Sequence, residues 1–253
     1  MSGTAHDFKG RVALVTGASQ GIGRAIAIGL MRGGARVHVA DINVEGLDQV
    51  AEAGAVPHHL DIGDRGACHE TVRGIVEAEG RIDILVNAAG GSLGKGRGPV
   101  EEVTEADWHA IFDANMNGAF WLCQAVAPHM KKARYGRIVN ITSGAGLRPA
   151  LNGVQAYTAS KHAIVGMTKQ MSFELGPFGI TTNAVAPGIV LSGPWAKYQW
   201  DSYGPEGQQR VRDSLHTRRI GEAEDIAHAV LFFAAEDSRW ITGQILSADG
   251  GRS

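Results

Sequence analysis

The chain has 253 residues, enough to bury one sizeable core, so a single domain over 1–253 is expected rather than two. Hydrophobic residues make up 44% and charged residues 20%, which argues against disorder, and 35 glycines point to many tight turns. A formal charge of -2 leaves no surplus of Lys and Arg for a nucleic-acid backbone or an anionic membrane. No apolar run approaches the roughly 18 residues of a membrane span, and the first ten residues lack the apolar core of a secretory leader, so a cytoplasmic location is expected.

In chain order, short apolar segments are expected as strands at 11–15, 36–41, 56–61, 82–87, 136–141, 181–186 and 244–248. Several are apolar at consecutive positions, as strands buried on both faces of a parallel sheet are. Helical periodicity marks 22–32, 104–132, 155–175 and 223–235. This alternation predicts an α/β fold: a doubly wound parallel sheet of about seven strands (a Rossmann fold) with helices on both faces, and ligands at the carboxyl ends of the strands. Cys68 and Cys123 lie in helical patterns and the ten His show no metal-ligand spacing, so neither a disulfide nor a metal is expected.

The first strand runs into T-G-A-S-Q-G-I-G at 16–23 and then a helix, the context a nucleotide-binding turn requires. Gly17 permits the turn, Gly21 admits a pyrophosphate to the backbone, Gly23 lets the helix pack closely, and Ser19, Gln20 and Ile22 complete the expected contact surface. Asp41 ends the second strand about 20 residues on, where a carboxylate accepts from both ribose hydroxyls and repels a 2'-phosphate. Ile42 follows it and Gln20 stands in the turn, so no cation is at hand for that phosphate and NAD is expected in preference to NADP.

Y-T-A-S-K puts Tyr157 and Lys161 on one face of the 155–175 helix. A phenol titrating near pH 10 needs about 4 kcal/mol of stabilisation to act as a base near neutrality, and the Lys161 ammonium is the natural source. Ser143 directly follows the 136–141 strand and its I-T, with its hydroxyl available to hold a substrate oxygen. Asn115 interrupts an otherwise apolar-periodic helix, a residue type that competes for backbone hydrogen bonds and so predicts a local irregularity.

Together these motifs resemble the short-chain dehydrogenase/reductase family, in its subgroup of about 250 residues with T-G-x-x-x-G-x-G and Y-x-x-x-K. The likeness spans nearly the whole chain, including D-I at 61–62, N-A-A-G at 87–90, N-A-V-A-P-G at 183–188 and the final D-G-G. It implies an NAD-dependent alcohol dehydrogenase or carbonyl reductase, assembled as a homotetramer through the 104–132 and 155–175 helices and the C-terminal end. Tyr157 would be the general acid/base, Lys161 would lower its pKa and bind the nicotinamide ribose, and Ser143 would orient the reacting oxygen. Asn115 would hold a water in a proton relay. Asp61 and Ile62 would flank the adenine, Asn87, Ala88 and Gly90 would line the ribose and support the central strand, and Pro187, Gly188 and Ile189 would cover the nicotinamide. Ser192 stands where the family often has Thr and keeps the hydroxyl.

Substrate-shaping loops are expected at 91–99, 144–153 and 192–217, the last carrying Trp195, Tyr198, Trp200 and Tyr203. These rings suggest either a small cyclic or aromatic alcohol or ketone as substrate, or packing against a neighbouring subunit; Lys95, Arg97 and Arg148 are taken as solvated loop charges. Three alternatives stand beside this reading: a 3-oxoacyl-carrier-protein reductase, which would favour NADPH; a sugar-nucleotide epimerase, with other glycine spacing; and a non-catalytic nucleotide-binding protein.

Overall fold

The computed structural model describes residues 6–94, 98–150 and 153–251. Strands β1 (Val12–Thr16), β2 (Arg36–Asp41), β3 (Val56–His59), β4 (Ile84–Asn87), β5 (Gly136–Ile141), β6 (Ile180–Pro187) and β7 (Ile245–Ala248) form one parallel sheet ordered β3-β2-β1-β4-β5-β6-β7. The strand order reverses between β1 and β4, the crevice where such sheets bind ligands. Every residue of β1, β4, β5 and β6 is buried, whereas β3 and β7 at the edges are half open, which fits the consecutive apolar positions of β1 and β4.

Helices α1 (Gly21–Arg32), α2 (Val44–Ala51), α3 (Arg65–Glu79), α4 (Glu105–Phe112), α5 (Gly118–Ala133), α6 (Gln155–Leu175), α7 (Pro194–Asp201), α8 (Gly204–Ser214) and α9 (Ala223–Ala234) cover the sheet. The pleat sorts the core. Ala13, Val15, Val37, Val39, Val86 and Val185 meet α1 and α9 on one face, while Leu14, Leu85 and Ile138 meet Val72, Ile75, Leu122 and Met130 of α3 and α5 on the other. Two sequence expectations need correction. The single helix expected at 104–132 is broken by a π turn at Asp113–Asn117, and the 192–217 loop contains α7 and α8, each begun by a proline in its first turn.

Under α3, on the edge of the sheet, His38 and His58 share a 2.8 Å hydrogen bond, and His38 Nε2 lies 3.2 Å from Glu79 Oε1, itself paired with Arg36. Burial and the neighbouring imidazole hold His58 down to about 4, and burial lowers His38 too. An unfolded histidine titrates near pH 6.5, so this contribution to stability is complete above that pH and is lost as pH falls toward 4. Urea unfolding at pH 7 and pH 5 is expected to show a loss smaller in His58→Gln than in the parent by on the order of 1 kcal/mol; equal losses would contradict this account.

Candidate active site

The turn between β1 and α1 is wedged among three other segments. Gly17 donates its N–H to Ala40 O at 2.8 Å, and a Cβ on it would sit 2.7 Å from the Ala89 backbone. Gly21 has φ +55°, and a side chain there would strike the Ser192 carbonyl; one on Gly23 would strike the Gly17 carbonyl. Gln20, at the N-cap, gives α1 no side-chain cap and no acid occupies its first turn, so the free amides of Gly21, Ile22 and Gly23 face the crevice end of the helix as anion donors. Asp41 anchors the turn: Oδ2 accepts from Ser19 N at 3.1 Å and Oδ1 from Asn43 N at 3.0 Å, with Ile42 beside it 66% exposed.

Other expected cofactor positions surround this crevice with different duties. Asp61 accepts from Gly63 N at 2.9 Å in a local turn, whereas the Ile62 side chain is buried against Gly118, leaving only its main chain for an adenine. Asn87 is buried and donates to Asn140 Oδ1 at 2.8 Å, bracing β4 to β5; its own Oδ1 has no partner among the described residues. Gly188 N donates to Ala248 O and Ile189 O accepts from Gly221 N, which holds the segment after Pro187 across the turn. Sequence reasoning missed Thr16. Its buried hydroxyl oxygen accepts from both Ala88 N and Ala89 N at 3.1 Å, locking the end of β4 to β1; a hydroxyl at the last position of a buried apolar strand was the available signal.

The irregularity expected at Asn115 is the π turn itself. Its Nδ2 donates to Ile111 O at 2.7 Å and Gly91 O at 2.8 Å, and its Oδ1 accepts from Gly91 N at 3.0 Å. Gly90 makes room, since a Cβ there would lie 2.5 Å from Asn115 Oδ1. The side-chain amide of Asn115 thus pins the post-β4 loop. Asn115→Leu leaves both Gly91 groups unpaired and is expected to lower unfolding free energy by about 2–4 kcal/mol in urea titrations; a change under 1 kcal/mol would contradict these bonds.

Ser143 leaves the end of β5; its Oγ accepts from Ala145 N at 3.1 Å, and, against the larger effect of burial, its hydroxyl is the neighbour that draws the Tyr157 phenol down. Lys161, one turn further along α6, is 4% exposed; its Nζ lies 5.7 Å from the Tyr157 ring centre and donates to Ile141 O at 3.0 Å. Burial raises the Tyr157 phenol above its usual value against the opposing Ser143 bond, and burial lowers Lys161 to about 8. Desolvation is thus the larger effect on both groups in the free protein.

On the substrate side, Arg148 is not simply solvated. Its Nη2 is 3.3 Å from Asp249 Oδ2, tying the post-β5 loop to the chain after β7. Trp200 is buried, stacked by Arg212 at 5.1 Å and met edge-on by Tyr203, so its ring belongs to the interior of the α7–α8 pair; Tyr198 is exposed. Lys95, Arg97 and the side chain of Trp195 lie outside the described residues. Among those residues no His, Cys, Asp and Glu group is arranged for a metal, and no helix is long and apolar enough to cross a membrane.

This sheet, with its glycine turn at the strand reversal, defines a nucleotide-binding Rossmann fold. A family model described as enoyl-(acyl carrier protein) reductase matches residues 17–253. The chain is 39% identical to the (2S)-[(R)-hydroxy(phenyl)methyl]succinyl-CoA dehydrogenase subunit BbsD of Thauera aromatica, over 97% of this chain and 98% of that one. It is 36% identical to the 3-oxoacyl-[acyl-carrier-protein] reductase FabG of Thermotoga maritima (96% and 98% covered) and to the cyclohexanol dehydrogenase of a Rhodococcus species (96% of each). The solved structure of NAD+-bound xylitol dehydrogenase superposes with TM-score 0.89 at 32% identity, over 96% of this chain and 99% of that one. The chain belongs to the short-chain dehydrogenase/reductase family and is an oxidoreductase of that family.

Proposed function

We propose that the protein interconverts a secondary alcohol and a ketone with NAD(H), using Tyr157 as the group that moves the proton. The observation that carries this reading is the carboxyl edge of β5, where Thr142 donates to Lys161 O and Lys161 Nζ donates to Ile141 O, so that α6 is held against the strand that leads into Ser143, with Lys161 buried and 5.7 Å from the Tyr157 ring centre. The uncapped first turn of α1, the wedge at Gly21 and the Asp41 carboxylate fit a dinucleotide without a 2'-phosphate. When bound it supplies the hydride acceptor or donor and, oxidised, a positive ring.

The chain's own residues handle the proton and the orientation. Ser143 holds the substrate oxygen by hydrogen bonding; ionised Tyr157 takes the hydroxyl proton in oxidation, and neutral Tyr157 returns it in reduction. Lys161, eased to about 8, keeps a cation beside the phenol at neutral pH. The BbsD and cyclohexanol dehydrogenase names support a cyclic or aryl-bearing alcohol as substrate. A 3-oxoacyl-carrier-protein reductase is the second reading, favoured by the FabG relative.

Tyr157→Phe is expected to cut turnover by roughly 10²–10⁴-fold while NADH binding persists; unchanged turnover would sink the assignment. Initial rates with both cofactors on a panel of cyclic alcohols are expected to favour NAD, and a preference for NADP with acyl-carrier substrates would favour the second reading. Because burial raises Tyr157, alcohol oxidation should rise with pH on its alkaline limb while ketone reduction falls; profiles flat from pH 6 to 10 in both directions would exclude Tyr157.

A further inference from the structure

At the opposite end of the sheet from Ser143 and Tyr157 lies a cavity of about 510 Å³ that the proposed reaction does not use, lined by Arg134, Tyr135, Arg137, Gly179, Glu236, Arg239 and Trp240. Its floor is the amino ends of β5 and β6, and its rim is the turn between α9 and β7. Three guanidiniums face a single carboxylate among these lining residues, in a chain whose overall charge is -2.

That carboxylate is already engaged. Glu236 Oε2 is 3.1 Å from Arg11 and 3.6 Å from Arg137, and both guanidiniums stack on Tyr135, at 3.8 and 4.4 Å. Arg134 donates to Pro177 O and makes no ion pair among the described residues, and Arg239 makes none either. Arg137 is the unusual member. It is 2% exposed, and its Nε has no hydrogen-bond partner among the described residues, an uncompensated donor beneath the cavity.

Above these cations stands Trp240, 95% exposed. It does not stand on a loose segment. Ile241 N donates to Ser238 O, Ser238 Oγ donates to Phe232 O, and Gly243 N donates to Thr182 O, so the backbone is fixed on both sides of the indole. A held aromatic face beside unpaired guanidiniums recognises a flat ring and a negative charge at once. We propose that this cavity binds a small organic anion bearing a planar ring, either an aryl carboxylate or a nucleotide phosphate, with the ring against Trp240 and the anion on Arg134 and Arg239.

The test is a fluorescence titration of the full chain, excited for tryptophan, with benzoate, AMP and inorganic phosphate as separate probes and Trp240→Phe as the subtraction control. Saturable quenching by benzoate or AMP that disappears in Trp240→Phe and weakens at least tenfold in Arg239→Gln is expected, the two probes separating the carboxylate source from the phosphate source. The Trp240 control also separates this site from any AMP in the crevice at β1 and β4. No quenching by either ring-bearing probe, as when a second copy of the chain covers the indole, or quenching unchanged in Arg239→Gln, would overturn the proposal. Inorganic phosphate displacing AMP at equal concentration would overturn the part assigned to the ring.

Discussion

The Thr142 hydroxyl, at the end of β5, donates to Lys161 O at 2.8 Å, and the Lys161 ammonium returns to Ile141 O at 3.0 Å. These two bonds clamp the first turns of α6 onto the strand from which Ser143 emerges. Gly146 permits the contact, because a Cβ there would press on both the Thr142 hydroxyl and the Lys161 carbonyl. The clamp converts an ordinary i, i+4 spacing into a site: it sets Tyr157 over Ser143 and removes Lys161 from water.

Removal from water has an electrostatic consequence for both groups. Desolvation disfavours the phenolate and the ammonium alike, so the resting site leans toward neutral Tyr157 and a readily deprotonated Lys161. The Ser143 hydrogen bond opposes this at Tyr157 without overcoming it. In such a site a positive charge arriving beside the phenol acts through a low effective dielectric and so has a large effect on its ionisation. In the proposed reaction, poising of Tyr157 as the base would thereby be coupled to occupancy of the crevice formed by the glycine turn and the segment after β6.

Much of this was legible in the sequence, because buried parallel strands carry consecutive apolar positions, as β1 and β4 do, and glycine turns announce themselves. The seven strands fall within two residues of their expected bounds, and the poor helix former Asn115 marked the π turn. Less legible were features that depend on long-range geometry. Thr16 and Thr142 are common hydroxyls whose partners lie 72 and 19 positions away, and a place at a strand end is the one local sign either carries. The burial of the Ile62 side chain against Gly118 and of Trp200 within the α7–α8 pair likewise depends on residues distant in the chain or on helices the spacing did not mark. The spacing of Tyr157 and Lys161 reveals the neighbouring charge and conceals the burial of both groups.

Direct titration of the Tyr157 phenol tests the central claim that burial, not Lys161, governs the resting site. Ultraviolet difference titration of the protein against Tyr157→Phe isolates one of four tyrosines. The account predicts a phenol ionising above its ordinary value of about 10 in the free protein and moving down when oxidised dinucleotide is added. A phenol already ionising near neutrality in the free protein would contradict it.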